Sequence, residues 1–422
     1  MKIHFIGSRG ASISQLMKIT RNLGVEVSGH DALDSCQPLS VNADAIVYSS
    51  AVKPDNPILV RAQELSIPTL DRSVFLGKLA KIFNNVYAVA GCHGKTTTTA
   101  MLWQTLSHVN PTVHLGGEYS AIDATNYGIN REIFITEACE YKKSFLTLHP
   151  TVAVINNIDL DHTDCYGSID ETVSAFKQFC NNCKTVIVNG DDEKCANLSH
   201  NALTFGLGEN CNFRALSVTK NELNQYSYSL FVFGQFIGEI SLSVSGIHNL
   251  YNSLGAVALA LLHGVNFSLI QKNISLFNGV KRRCELIYDK SIQIYTDYAH
   301  HPNEIVATID ALKNQHGKTI VVFQPHTYSR LKDLFDGFIS AFEKADTLVL
   351  CPVYASRESV ATISSIDLLN KINVPADKHY FADFEQVFYF LDKTVKRDDT
   401  ILFLGAGNID YFARKYAQSQ NE

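Results

Sequence analysis

Long apolar runs are missing from this sequence. No uninterrupted stretch approaches the roughly 20 residues that a membrane span needs, which argues against membrane insertion. Residues 1–7 enter an apolar, strand-like run directly, without a basic leader, an export-type apolar core or a small-residue cleavage site. A cytoplasmic location is therefore expected. Positive charge is not in surplus either: the formal net charge is -6, so no basic footprint is offered to nucleic acid, and any bound phosphates must be met locally. Of the ten cysteines only Cys180 and Cys183 form a Cys-x-x-Cys pair. Neither a second pair nor histidines at ligand spacing accompany it, so reduced thiols are expected rather than a zinc or redox site. Internal repeats and low-complexity segments are also absent.

The chain of 422 residues, 46% hydrophobic and 18% charged, has the balance of a folded protein and is too long for one ordinary core. Two or three domains are expected. Short β-rich apolar runs ending in small or polar residues occur at 3–7, 45–49, 86–91, 133–137, 152–156 and 185–190. Others follow at 292–298, 319–324, 347–352 and 400–405. They alternate with helical patterns, which predicts parallel sheets with crossover helices, an α/β fold. Ligands collect at the carboxyl ends of such strands. Residues 212–244 instead alternate Tyr, Phe and Val with polar residues, predicting antiparallel strands at an insertion or edge of the middle domain. Boundaries are placed near Phe83 and Arg283, and the first and last thirds both read as doubly wound.

After the run at 86–90 comes Gly91-Cys92-His93-Gly94-Lys95-Thr96-Thr97, followed by a helical pattern. Glycines let backbone N–H groups face an anion, and the helix start adds positive potential. Lys95 can reach terminal phosphates and the Thr96 hydroxyl can hold Mg2+. The expected ligand is ATP. Only two residues separate the glycines, whereas the general phosphate-loop motif has four. The run at 133–137 ends in Glu137-Ala138-Cys139-Glu140, and the run at 152–156 leads into Asn157-Ile158-Asp159-Leu160-Asp161-His162. Glu137 and Thr96 are candidate Mg2+ ligands. His162 is open to three roles: a second metal ligand, a phosphate donor or a plain loop histidine.

The phosphate loop, the Glu-Ala-Cys-Glu segment and the Asn-Ile-Asp-Leu-Asp-His segment together resemble the Mur ligases. Further blocks carry the resemblance: Gly246-Ile-His-Asn-Leu-Tyr-Asn252, Gly279-Val-Lys-Arg-Arg283, Asp297-Tyr-Ala-His-His-Pro302, Phe323-Gln-Pro-His-Thr-Tyr-Ser-Arg330 and Tyr354-Ala-Ser-Arg-Glu358. In this order they are most similar to the branch of that family that joins L-alanine to UDP-N-acetylmuramate. The resemblance implies three domains: a Rossmann-like UDP-sugar domain at 1–83, a central P-loop ATPase domain at 84–283, and a Rossmann-like domain at 284–422 that closes on the site. It implies ATP and Mg2+ as cofactors and UDP-N-acetylmuramate and L-alanine as partners, with a monomer and a homodimer both left open.

By the same resemblance, Gly91, His93, Gly94, Lys95, Thr96 and Thr97 hold ATP phosphates. Asn249 and Asn252 approach the adenine, Asp297 the ribose and Arg283 the terminal phosphate. Thr96 and Glu137 bind one magnesium ion and His162 helps to bind a second. His326 and Arg330 hold the amino acid, the guanidinium suiting its carboxylate. Lys95, His162, Arg283, His326 and Arg330 are the implied catalytic set. Gly7, Gly10 and Ser12, with Asp31, Ser49 and Ser50, are candidates for the UDP-sugar, although the first loop is poorer in glycine than is usual and carries Arg9. Plainer readings stand beside these. Asn249 and Asn252 suit helix caps, Arg282 and Arg283 suit a solvated linker, and His300 and His301 receive no role. Thr327, where many relatives carry arginine, and Asn408, where they carry aspartate, open serine and glycine as alternative substrates. Two further functions compete: ligation of a recycled peptide to the same sugar nucleotide, and a non-catalytic nucleotide-binding paralogue.

Overall fold

The computed structural model describes residues 1–31, 42–49, 51–123, 126–127, 130–162, 165–313, 316–356 and 358–421. Three sheets divide the described residues. The first contains β1 (Lys2–Ile6), β2 (Glu26–His30), β3 (Ala45–Tyr48) and β4 (Thr69–Asp71), all parallel, in the order β2-β1-β3-β4. Its helices are α1 (Ala11–Asn22), α2 (Pro57–Glu64) and α3 (Arg72–Ala80). Asn56 and Asp71 cap α2 and α3 by accepting backbone N–H groups, which satisfies donors that a helix start leaves free.

The second sheet has the order β13-β12-β11-β10-β9-β8-β5-β7-β6. Its strands are β5 (Asn85–Ala90), β6 (Thr112–His114), β7 (Ile133–Glu137), β8 (Val152–Ile155), β9 (Thr185–Asn189), β10 (Leu203–Gly206), β11 (Phe213–Lys220), β12 (Gln225–Val232) and β13 (Gln235–Ser245). Strands β5 to β10 are parallel, and β11 to β13 form the antiparallel edge expected from the alternation at 212–244. Helices α4 (Lys95–Leu106), α5 (Ile169–Asn181), α6 (Glu193–Ala196), α7 (Ile247–Leu262) and α8 (Phe267–Ser275) belong to this part. Helix α4 is buried from Thr96 to Leu106 and shares one core with α7 and α8. In the threonine-rich start of α4 the buried Thr98 hydroxyl donates to Asn252 Oδ1 and accepts from Asn156 Nδ2, whereas the buried Thr99 hydroxyl has no partner among the described residues.

The third sheet, β14-β15-β19-β16-β17-β18, contains β14 (Glu285–Asp289), β15 (Gln293–Asp297), β16 (Thr319–Phe323), β17 (Thr347–Leu350), β18 (Asp377–Tyr380) and β19 (Thr400–Leu404). Among its described strands only β14 runs antiparallel to its neighbour. Around it lie α9 (Pro302–Leu312), α10 (Tyr328–Asp333), α11 (Phe335–Ser340), α12 (Ser365–Lys371), α13 (Phe384–Thr394) and α14 (Ile409–Ser419). The continuous apolar runs of β16 and β19 are buried at every residue, as strands covered on both faces must be. Among the described residues no helix is long and apolar enough to cross a membrane.

Connectivity sets where ligands can enter. From β5 the chain goes out to β6, returns through β7 on one side of β5, and then crosses to β8 on the other. The carboxyl end of β5 is thus a point where strand order reverses, the crevice in which open α/β sheets bind ligands. The loop that follows it is Gly91 to Gly94.

Candidate active site

The loop after β5 is held by asparagines. His93 N–H donates to Asn157 Oδ1 at 2.8 Å, Cys92 N–H to Asn157 O at 3.2 Å, and Asn157 Nδ2 to His93 O at 3.1 Å. Gly94 begins α4 with φ +78°, and a Cβ there would come within 2.4 Å of Asn252 Oδ1. Only glycine meets both demands. Asn252 in turn accepts the Thr98 hydroxyl at 3.1 Å and donates to Asn249 Oδ1 at 3.1 Å, while Asn249 donates to Ser245 O. Loop, β8 and α7 are therefore locked together by polar contacts inside the domain.

Lys95 lies at the head of α4. Its ammonium donates to Gly91 O at 2.6 Å, Cys92 O at 3.0 Å and Glu140 Oε1 at 3.1 Å, with Glu140 Oε2 at 2.9 Å. Burial opposes the charge on Lys95, but the Glu140 carboxylate outweighs it, and the ammonium titrates above the usual lysine range. Burial likewise works against the Glu140 anion, whose side chain is 1% exposed, yet Lys95 and His162 hold it below the usual carboxylate range. His162 Nε2 stands 3.5 Å from Glu140 Oε1 and 3.7 Å from Asp161 Oδ2. Asp161 then meets Arg330 of α10, with Nη2 to Oδ1 at 3.0 Å. Burial raises the Asp161 pKa, but His162, Arg330 and His300 together hold it well below normal. The result is a chain in which carboxylates alternate with basic side chains, Lys95–Glu140–His162–Asp161–Arg330, and which crosses from the second sheet to the third.

A cavity of about 1380 Å³ opens beside this chain, lined by Gly94, Thr96, Thr97, Asn249, Asn252, Arg283 and Asp297 among others. Lys95, Glu137, His162, His326 and Arg330 are not among its lining residues. Thr96 and Glu137 both abut the turn Gly116-Gly117, where Glu137 Oε1 accepts the Gly116 N–H at 2.5 Å. His162 lies beside Glu140 and Asp161. Asp297 accepts N–H groups of Cys284 and Ala299, both at 2.6 Å, so it also shapes the linker; burial raises its pKa. Arg283 and Arg282 lie 5.0 and 4.8 Å from the Tyr298 ring, and Arg282 donates to Gly405 O and Gly407 O. His326 stacks on Tyr354 and sits 3.5 Å from Arg330.

In the first sheet, Gly7 follows β1 with its N–H on His30 O, and a Cβ on it would approach Ser49 Oγ to 3.1 Å. Gly10 caps α1, and the Arg9 N–H donates to Asp31. Ser12 Oγ contacts His114 Nε2 at 2.8 Å and accepts from Arg72 Nη1 at 3.0 Å. Ser50 lies outside the described residues. His93 directs both ring nitrogens at carboxylates, Nε2 to Asp159 and Nδ1 to Glu304, while its backbone serves the loop. Sequence reasoning missed Glu140, Asn156, Asn157 and Glu304. The doubled acid in Glu-Ala-Cys-Glu was the available signal for Glu140; nothing local marks Glu304, which reaches His93 across 211 positions.

Three family models match successive parts of the chain: "Mur ligase family, catalytic domain" at 2–84, "Mur ligase middle domain" at 89–260 and "Mur ligase, glutamate ligase domain" at 282–407. The UDP-N-acetylmuramate--L-alanine ligase of Caldanaerobacter subterraneus subsp. tengcongensis is 36% identical over 451 residues, covering 100% of this chain and 98% of its own. Among solved structures, the UDP-N-acetylmuramate-alanine ligase of Thermotoga maritima superposes with a TM-score of 0.86 at 25% identity, covering 100% and 99% of the two chains. A murein peptide ligase from Psychrobacter arcticus shares the fold, with a TM-score of 0.70 at 20% identity over 99% and 98%. From its first strand to its last sheet, this chain belongs to the Mur ligase family.

Proposed function

We infer that this protein is a cytoplasmic ligase that uses ATP to join L-alanine to the lactyl carboxylate of UDP-N-acetylmuramate, a step in peptidoglycan precursor synthesis. The 36% identity to a UDP-N-acetylmuramate--L-alanine ligase over the whole of both chains supports this reading. The observation that carries it is the buried Lys95–Glu140–His162–Asp161–Arg330 chain beside the phosphate loop and the large cavity. In this assignment residues 1–83 hold the UDP-sugar, 84–283 hold ATP, and 284–422 close on nucleotide and amino acid.

The chemistry divides into two steps. The carboxylate oxygen attacks the terminal phosphorus of ATP, ADP leaves, and an acyl phosphate forms. The neutral amine of alanine then attacks the acyl carbon, the tetrahedral intermediate gives up one nitrogen proton and expels phosphate, which leaves carrying that proton as hydrogen phosphate, and an amide remains. Both steps are governed by position and by charge that develops on oxygen. The N–H groups from Gly94 to Thr97 at the start of α4 and the Lys95 ammonium meet the phosphates, which draws Lys95 from the carbonyls of Gly91 and Cys92. Asn249 and Asn252 face the adenine, Asp297 the ribose and Arg283 the terminal phosphate. Arg330 takes the alanine carboxylate beside His326. Gly7, Gly10, Ser12, Asp31 and Ser49 are assigned to the UDP-sugar.

Glu140, Asp161 and His162 present ligand atoms within 4.8 Å of one another, an oxygen-rich set that fits a divalent cation beside phosphates. Thr96 and Glu137 make a second pair at the Gly116-Gly117 turn. Mg2+ bound at these residues supplies positive charge against the oxygens of the transferring phosphoryl group. Phosphate release measured with ATP, UDP-N-acetylmuramate and L-alanine tests the assignment. Release that depends on both the sugar and alanine is expected, whereas release only with a tripeptide would transfer the reading to the peptide ligases.

A further inference from the structure

His93 has no free nitrogen. In the phosphate loop its ring stands between two carboxylates, with Nδ1 3.0 Å from Glu304 Oε1 and Nε2 3.2 Å from Asp159 Oδ2. Two carboxylate acceptors require both ring nitrogens to donate, and only the imidazolium does so. Burial lowers the proton affinity of His93, yet the two anions outweigh it and raise the pKa to about 9. Asp159 follows β8 in the second sheet's part of the chain, whereas Glu304 lies in the first turn of α9 in the third.

The rest of that turn docks on the same place. Glu304 Oε2 accepts the N–H groups of His300 and His301 at 3.1 and 3.3 Å, the reciprocal half of a capping box with His301, which fixes where its carboxylate points. The His301 ring lies 4.9 Å from the His93 ring and its Nε2 is 3.4 Å from Leu160 O. Asn303 donates to Asp159. Meanwhile the His93 backbone is clamped by Asn157 on both its N–H and its carbonyl. The residue that shapes the anion-facing loop is therefore the one that the first turn of α9 grips.

We propose that His93, Asp159 and Glu304 form an interdomain latch, so that the phosphate loop reaches its working shape only when the C-terminal domain is docked on it. In this role His93 is a positioning residue: Asn157 engages its backbone N–H and carbonyl, and its ring transmits the docking of α9 to the shape of the loop. The latch would make domain closure and the loop's shaping for phosphoryl transfer one event, commitment before the phosphoryl step, which keeps water from a reactive acyl phosphate. This inference rests on the ligase reading above.

The test is a double-mutant cycle in the full chain with His93→Gln, Glu304→Gln and the double variant. For each, kcat with ATP, UDP-N-acetylmuramate and L-alanine is measured, together with the ADP dissociation constant and the radius of gyration with and without nucleotide. Each single change should lower kcat about ten-fold or more. The ADP dissociation constant should stay within about three-fold, because loop N–H groups remain. The double variant should match the worse single variant within about two-fold, and all three should lose the nucleotide-induced compaction. Multiplying effects, or full compaction in both single variants, would overturn the latch. If Glu304→Gln fails to fold because of its cap, Asp159→Asn breaks the other half of the bridge and is judged by the same criteria. Wild-type turnover is the control: none would refute the ligase reading itself, whereas turnover with multiplying variants refutes the latch alone.

Discussion

Arg330 Nη2 lies 3.0 Å from Asp161 Oδ1, and this contact joins the first turns of α10 to the loop after β8. Both side chains are largely buried, at 14% and 7% exposure. A buried pair of this kind costs desolvation on each side and is strongly harmful to break from one side only. Its position fits an exchange: the carboxylate of an incoming amino acid can take the place of Asp161 at the guanidinium, freeing Asp161 for the cation set it forms with Glu140 and His162.

Arg330→Ala should raise the KM for L-alanine by about 10- to 100-fold, the worth of a charge-assisted hydrogen bond, with a smaller change for ATP. Arg330→Lys should not restore it, since an ammonium lacks the planar fork. Steady-state kinetics against each substrate check this, and an unaltered alanine dependence would remove Arg330 from the amino-acid site.

Lys95→Ala should reduce kcat by about 10²- to 10³-fold or more, the usual loss when a group aimed at developing charge is deleted. Glu140→Gln should also be harmful. Lys95 and His162 both lean on this carboxylate, so the amide should lower the Lys95 pKa and move the alkaline limb of the pH–rate profile toward neutrality. A Glu140→Gln enzyme with wild-type rate and pH profile would show that the pair is only structural.

Gly94→Ala combines a left-handed backbone with a Cβ 2.4 Å from Asn252 Oδ1. Backbone strain alone costs about 1–2 kcal/mol, and Asn252 must also give way. Weaker ATP binding is expected, and Asn252→Ala should relieve part of the defect by removing the clash. If the double variant is no better than Gly94→Ala by titration with ATP, the asparagine contact is not what requires glycine.

Acid should weaken the junction between the first two sheets. His114 is held at Thr136 Oγ1 (3.0 Å) and Ser12 Oγ (2.8 Å), and burial, then Arg72, lowers its pKa from 6.5 to about 3. The unfolded chain therefore takes up this proton first as pH falls. The contribution of His114 is complete above about 6.5 and is lost progressively toward 3. His248, lowered to about 4 by burial and then by Arg283, adds to the same slope. His93 has the opposite sign: raised to about 9, it contributes fully below 6.5 and is lost as pH rises through 9. Urea midpoints recorded between about pH 7 and pH 4 should fall less steeply for His114→Gln than for the parent. Equal slopes would contradict the assignment.

Much of the framework was legible in the residues. The apolar run at 86–90 followed by Gly91, Gly94, Lys95 and a threonine-rich helix specified β5, its loop and α4, because strand, turn and helix start are local properties of the chain. The alternation at 212–244 likewise read as the antiparallel edge formed by β11 to β13. The choice between acids at Glu137 and Glu140 could not be read this way. β7 ends at Glu137, and the irregular backbone beyond, with Lys142 and Lys143 at positive φ, decides which carboxylate turns inward to Lys95. Ser12 was assigned to a ligand from its loop, yet the fold also gives it His114 and Arg72, which lie 102 and 60 positions away.

The sequence by itself determined the α/β pattern, the glycine turn after β5 and the set of polar residues that follow its strands, since these depend on side-chain period, backbone freedom and local charge. Tertiary structure alone decided which of those residues meet. Lys95 with Glu140, Asp161 with Arg330 and His93 with Glu304 are contacts across 45, 169 and 211 positions. Such pairs form only when packed sheets bring strand ends together and exclude the water that would otherwise screen their charges.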